Sequence, residues 1–194
     1  MNNLVAFMTY TLLTAITPGP NNILAMSNTS KYGLKRSMRL IQGIFFGFLS
    51  VMTLCSLFSV MLVNIIPTIR PAMKYVGAAY ILWLAWNILK SKPQEGAENE
   101  EKANSFLTGF FLQFLNVKII LYGITAISTF ITPYYSSPFS MGGFTLIITS
   151  IGCVGTFIWA IFGSVFQRVF KNYSNSINII MALLLVYSAI TLII

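Results

Sequence analysis

Residues 14–26 read TAITPGPNNILAM. They place Pro18, Gly19 and Pro20, followed by Asn21 and Asn22, inside an apolar run that begins at Leu4. Neither proline has a backbone donor, and each ring obstructs the carbonyls of the preceding turn. Gly19 permits backbone angles closed to other residues. The stretch therefore predicts a helix that unwinds at 18–20 and restarts at Asn21, with its partially positive end at the break.

The setting of that break is apolar. Of 194 residues, 56% are hydrophobic and 8% charged, against about 25% charged in a soluble domain. The mean hydropathy is +0.78. Six segments approach the roughly 20 residues that cross a bilayer as helix: about 4–28, 40–66, 72–90, 106–131, 143–166 and 177–194. The expected fold is all-α, a polytopic membrane protein. In hydrocarbon, freed main-chain groups must find partners or line a wet cavity buried in protein, so the break marks a candidate binding site.

The net charge of +8 is not arranged for nucleic acid. Basic residues sit at the ends of apolar blocks, where they set orientation. Lys31, Lys35, Arg36, Arg39, Lys90, Lys92, Lys102, Arg168 and Lys171 fall in the odd-numbered loops, and only Arg70 and Lys74 in the even ones. The odd loops are expected to be cytoplasmic, with both termini periplasmic. Cys55 and Cys153 lie deep in apolar blocks and read as small hydrophobes. The start MNNLVAFMTYTLL lacks the basic region and cleavage site of a signal peptide, so the first apolar segment is expected to remain.

The one hydrophilic stretch, SKPQEGAENEEKAN (91–104), holds Glu95, Glu98, Glu100 and Glu101, the only acidic residues of the protein. It reads as a linker (91–105) dividing one transporter domain, 1–194, into repeats of about 4–90 and 106–194. Three spans on each side force the halves into opposite orientations, as in many secondary transporters. Internal likeness fits: PNNIL with LNVKIIL, Gly43 and Gly47 with Gly152 and Gly155, and AAYILWLAW with ALLLVYSAI.

The fourth span carries the second interruption, QFLNVKII, with Gln113, Asn116 and Lys118. Lys118 falls near the middle of 106–131 and is the only charged residue in the interior of any span, away from its ends. A lysine at that depth costs about 2.5–3.5 kcal/mol on insertion scales, and an intramembrane charge reads by default as functional. If the halves are inverted repeats, the broken helices 1 and 4 meet near the midplane. A pocket holding Pro18, Gly19, Pro20, Asn21, Asn22, Gln113, Asn116 and Lys118 suits a carboxylate, and Tyr122, one turn beyond Lys118, is placed to face it. A substrate ammonium would fall to unwound carbonyls or an aromatic face. A small zwitterion fits. A metal ion lacks carboxylate or imidazole ligands there, and no cofactor is expected. The Gly43-xxx-Gly47 spacing allows close helix approach, as packing within the chain or in a homodimer.

The stretches TPGPNNILAMS, GAAYILWLAWNI, LQFLNVKIILYGITAISTF and NIIMALLLVYSAI resemble the LysE/RhtB family of bacterial amino-acid exporters over nearly the whole chain, most closely its branch exporting cysteine and O-acetylserine. The resemblance implies an inner-membrane efflux protein for small neutral amino acids. It places the family's first-span motif on Pro18, Gly19, Pro20 and Asn21, and its fourth-span Asn-Pro-Lys on Asn116, Val117 and Lys118. Val117 stands where many members have proline, which implies a milder second break. Where many members carry an Asp in the fifth span, this chain has GCVGTFIW (152–159). Lys118, thiols and phenols are then the only titratable groups in the spans, so efflux runs downhill or on a proton carried by the lysine. The rival reading is a membrane scaffold or lipid-handling protein whose breaks serve packing alone. No Ser-His, paired-carboxylate or metal constellation speaks for an enzyme.

Overall fold

A computed structural model describes residues 4–90 and 104–193. The described residues form helices without strands: α1 (Leu4–Ile16), α2 (Pro20–Tyr32), α3 (Leu34–Leu57), α4 (Ser59–Lys90), α5 (Phe106–Leu115), α6 (Val117–Thr125), α7 (Pro138–Val165), α8 (Gln167–Asn172) and α9 (Ser174–Ile193). After α6 the chain continues as a π-helical turn, Ala126–Ile131. By length and composition α3, α7 and α9 can each cross a membrane, and the bent pair Phe106–Leu115 with Val117–Ile131 is a fourth candidate. The acidic linker expected at 91–105 lies outside the described residues except for Asn104 and Ser105. Asn104 is buried, and its Oδ1 accepts from Asn28 Nδ2 of α2 at 3.1 Å.

One predicted boundary moves. The turn expected near 67–71 is absent, and α4 runs through Pro67 and Pro71. The chain leaves α3 instead at Phe58, a single residue outside helical geometry (φ −106°, ψ 18°). A proline removes one main-chain bond but does not oblige a membrane helix to end. Between α2 and α3 the connection is also one residue, Gly33. Its φ of +82° lies in the left-handed region that glycine enters without strain.

Packing runs across the two halves of the chain. α5 lies along α3 so closely that a Cβ on Gly43 would run into the Phe106 carbonyl, and one on Gly109 into the Leu40 carbonyl. α2 lies along α7 in the same manner, with Gly163 against the Met26 carbonyl. α4 and α9 pair through Ile81, Leu84 and Ile88 against Met181 and Leu185, with Ile23 of α2 in the same cluster. Gly43 and Gly47 are thus buried within the chain against α5. They are not the exposed face that a dimer contact through them requires.

Candidate functional site

The first break falls where the prolines put it. α1 stops at Ile16, residues 17–19 are non-helical, and α2 starts at Pro20. A helix end leaves its last four carbonyls without intrahelical donors, and in hydrocarbon each orphan costs several kcal/mol. At the end of α1, Thr17 N closes on the Leu13 carbonyl and Thr17 Oγ1 on that of Thr14, and each carbonyl from Ala15 to Pro18 is met by a side chain. Asn22 Nδ2 donates to the carbonyls of Ala15 (2.9 Å) and Thr17 (3.0 Å). Trp159 Nε1 of α7 donates to Ile16 at 2.9 Å. Ser188 Oγ of α9 lies 3.4 Å from the Pro18 carbonyl. Lys118 Nζ of α6 donates to the Thr17 carbonyl at 2.9 Å and to Thr17 Oγ1 at 3.0 Å. Asn22 Oδ1 in turn accepts from Thr156 Oγ1 at 3.0 Å. One asparagine therefore replaces the missing turn.

The second break is at Asn116, whose φ of −84° and ψ of 90° separate α5 from α6. The two segments meet at 63°, so the chain bends sharply here with Val117 in place of a proline. Asn21 joins the two breaks. Its Nδ2 donates to Gln113 Oε1 at 2.6 Å, while its Oδ1 accepts from Gln113 Nε2 (3.2 Å) and Asn116 Nδ2 (3.1 Å). Gln113 is fully buried and also donates to the Gly109 carbonyl. Such a closed amide network, made away from water, fixes the register of one broken helix on the other.

A cavity opens beside this joint. Gly19, Pro20, Asn21, Asn22, Asn116, Lys118 and Tyr122 all line it. Two of the sequence candidates do not. Gln113 stands behind Asn21, and the Pro18 carbonyl faces Ser188. Tyr122 is held in the wall by Tyr10, stacked at 5.9 Å, and by Phe48 edge-on at 5.9 Å, and its hydroxyl donates to the Ile148 carbonyl at 3.3 Å. Thr14, Ala15, Phe48, Ile119, Gly152 and Thr156 complete the wall, and Thr17, just outside it, holds Lys118. Thr156 could have been suspected as a hydroxyl in an apolar span; Phe48 and Gly152 carry no such signal.

Chemically the cavity is cationic. It receives the N-terminal ends of α2 and α6 and the Lys118 ammonium, and no carboxylate lines it. Lys118 is half-buried and turned onto Thr17 rather than extended toward an interface. Asn116 Oδ1, buried in the wall, has no hydrogen-bond donor. The free space is about 30 Å³, room for a water or two. A larger hollow of about 320 Å³ between α3 and α7, bordered by Met38, Phe45, Cys153 and Phe157, is almost wholly apolar. Gln42 and Thr156 are the polar side chains at its edge, and no charged group lines it.

Comparison with known proteins agrees with this architecture. Residues 12–194 match the model of the LysE type translocator family. Among curated relatives, the chain is 46% identical to a cysteine/O-acetylserine efflux protein of Klebsiella pneumoniae subsp. pneumoniae, over 97% of this chain and 96% of that one. It is 49% identical to the protein of that name in Salmonella typhimurium and 47% identical to that of Escherichia coli strain K12, each over 96% of this chain and 95% of the relative. No solved structure matches it. Sharing the family's sequence over residues 12–194, and built as apolar helices around two helix breaks, the chain belongs to the LysE type translocators.

Proposed function

We propose that this protein exports small neutral amino acids, cysteine and O-acetylserine among them, across the bacterial inner membrane by alternating access around the cavity between the two broken helices. In this reading the chain crosses the membrane six times as two inverted three-span repeats, with both termini periplasmic. The cross-half pairing supports the repeats: α2 of the first broken helix lies on α7, and α5 of the second lies on α3. The excess of Lys and Arg in the odd loops supports the orientation. The names of the relatives support the substrates.

The observation that carries the reading is a single lysine, without an acid partner, lining a cavity where two helix breaks meet. A buried cation among helix N-termini favours an anion, and the substrate carboxylate is that anion. Lys118, with the start of α2 at Asn21, holds it. Asn22 is committed to Ala15, Thr17 and Thr156, so Asn116, with its open Oδ1, is the asparagine left to read the substrate side chain.

Export of labelled cysteine, O-acetylserine and other small amino acids from cells making the protein tests this directly. Lys118→Met should abolish efflux while folded protein still reaches the membrane. Unchanged export by that variant removes the lysine from the mechanism. Absence of any amino-acid efflux by the unaltered protein removes the function.

A further inference from the structure

A zwitterion brings an ammonium as well as a carboxylate, and the cavity has no acidic side chain to meet it. The acceptors near it are Asn116 Oδ1 at the second break and oxygens of the first break. Asn22 holds the carbonyls of Ala15 and Thr17, Trp159 that of Ile16 and Ser188 that of Pro18, but Thr17 alone carries a second, mobile donor. Its carbonyl and Oγ1 are presented together, and the cation on both is the tip of a long flexible side chain, Lys118. That tip is an ammonium with three donors, the same group an amino acid carries at its α-carbon.

We propose that the Thr17 carbonyl and hydroxyl form the subsite for the substrate's ammonium, and that the Lys118 ammonium occupies this subsite as a tethered stand-in until substrate arrives. The inference rests on the exporter reading and adds to it a residue and an order of events. An incoming α-amino acid takes Thr17, and Lys118 swings on its four-carbon stem to the carboxylate that has entered with it. One cation leaves the oxygens as another reaches them, the carboxylate is neutralised by the freed lysine, and no proton changes hands.

Two other features follow from this arrangement. The free space is too small for an amino acid because Lys118 lies along the break. Gly19 is bare because a Cβ there would stand 2.9 Å from Lys118 Cδ and 3.0 Å from Nζ. The exchange also explains recognition of the zwitterion as a unit. An amine without a carboxylate displaces the lysine and gives it nowhere to go, whereas an acid without an amine leaves Thr17 with no cation once the lysine turns away.

The test uses purified full-length protein in proteoliposomes, with labelled cysteine as substrate and cysteamine and 3-mercaptopropionate as competitors. Thr17→Val keeps the shape and removes the hydroxyl. It should raise KM for cysteine by about tenfold, the loss expected of one hydrogen bond to a charged group, and leave competition by 3-mercaptopropionate unchanged. Lys118→Met, which does not transport, is read by direct binding of labelled 3-mercaptopropionate and cysteamine to the purified protein: it should lose the first and hold the second more tightly than the unaltered protein, because Thr17 is then vacated. An unaltered KM for cysteine in Thr17→Val, or an equal weakening of cysteine and 3-mercaptopropionate, overturns the proposal, the second outcome marking Thr17 as merely structural. Weaker binding of cysteamine by Lys118→Met than by the unaltered protein also overturns it. Failure of the exporter reading looks different: the unaltered protein then moves neither cysteine nor O-acetylserine.

Discussion

Asn21 and Gln113, 92 positions apart, clasp each other by both ends of their amides: Nδ2 to Oε1 at 2.6 Å and Nε2 to Oδ1 at 3.2 Å. The pair is buried and fastens the restart of one broken helix to the last turn before the other break. Removing either partner strands the other's donors and acceptors away from water. Asn21→Ala and Gln113→Ala should each destabilise the protein by about 1–3 kcal/mol. The double variant should lose clearly less than the two added together. Thermal unfolding in detergent reads the cycle, and strict additivity refutes the clasp.

Gly19→Ala adds one methyl group where Lys118 Cδ and Nζ pass at 2.9 and 3.0 Å. The lysine tip must shift, and the backbone at Gly19 (φ −163°, ψ 174°) is extended and open to any residue. The expected result is a severalfold loss of export with an unchanged melting temperature. A variant that melts early but exports normally argues against a special role for this contact.

Phe48 and Gly152 face each other across the cavity wall, and a Cβ on Gly152 would strike the Phe48 ring. Gly152→Ala should push the ring into the space a substrate side chain uses. Transport of O-acetylserine, the bulkier of the two proposed substrates, should fall about tenfold further than that of cysteine, the scale on which a pocket rejects a small excess of size. Competition between the two labelled substrates measures the ratio, and an unchanged ratio places the side-chain subsite elsewhere.

Gly43→Ala tests packing rather than chemistry. The added methyl meets the Phe106 carbonyl, part of a backbone that cannot rotate aside. Overpacking of this kind costs about 1–3 kcal/mol. The melting temperature should fall, while the KM of whatever folded protein remains should match the unaltered value.

The sequence announces the features that hydrocarbon makes expensive. Two prolines flanking a glycine and followed by two asparagines marked one break, and a lysine in the middle of 106–131 had to have partners, so the two breaks at the site could be read in advance. The boundary near Phe58 could not, because Pro67 and Pro71 look like an ending and the helix runs through them. Nor could the partners of the freed carbonyls be read. Thr156, Trp159 and Ser188 reach the break from 134, 143 and 170 positions away, and ordinary hydroxyls and an indole carry no mark of such an assignment. Asn22 shows the same limit from the other side: its amide suggests substrate recognition, but its hydrogens go to Ala15 and Thr17.

The glycine contacts that seat α5 on α3 and α2 on α7 carry a consequence for how such a molecule can shuttle. Backbone resting on backbone leaves no compressible layer between the partners, so each pair moves as one plank, and each plank is drawn from both ends of the gene. Under the proposed alternating access, the seam between α3–α5 and α2–α7, pinned by the Asn21–Gln113 clasp, can pivot but not slide, and it does not follow the amino-terminal and carboxy-terminal halves. The covalent order of the chain and its mechanical division into moving parts are different partitions of the same helices.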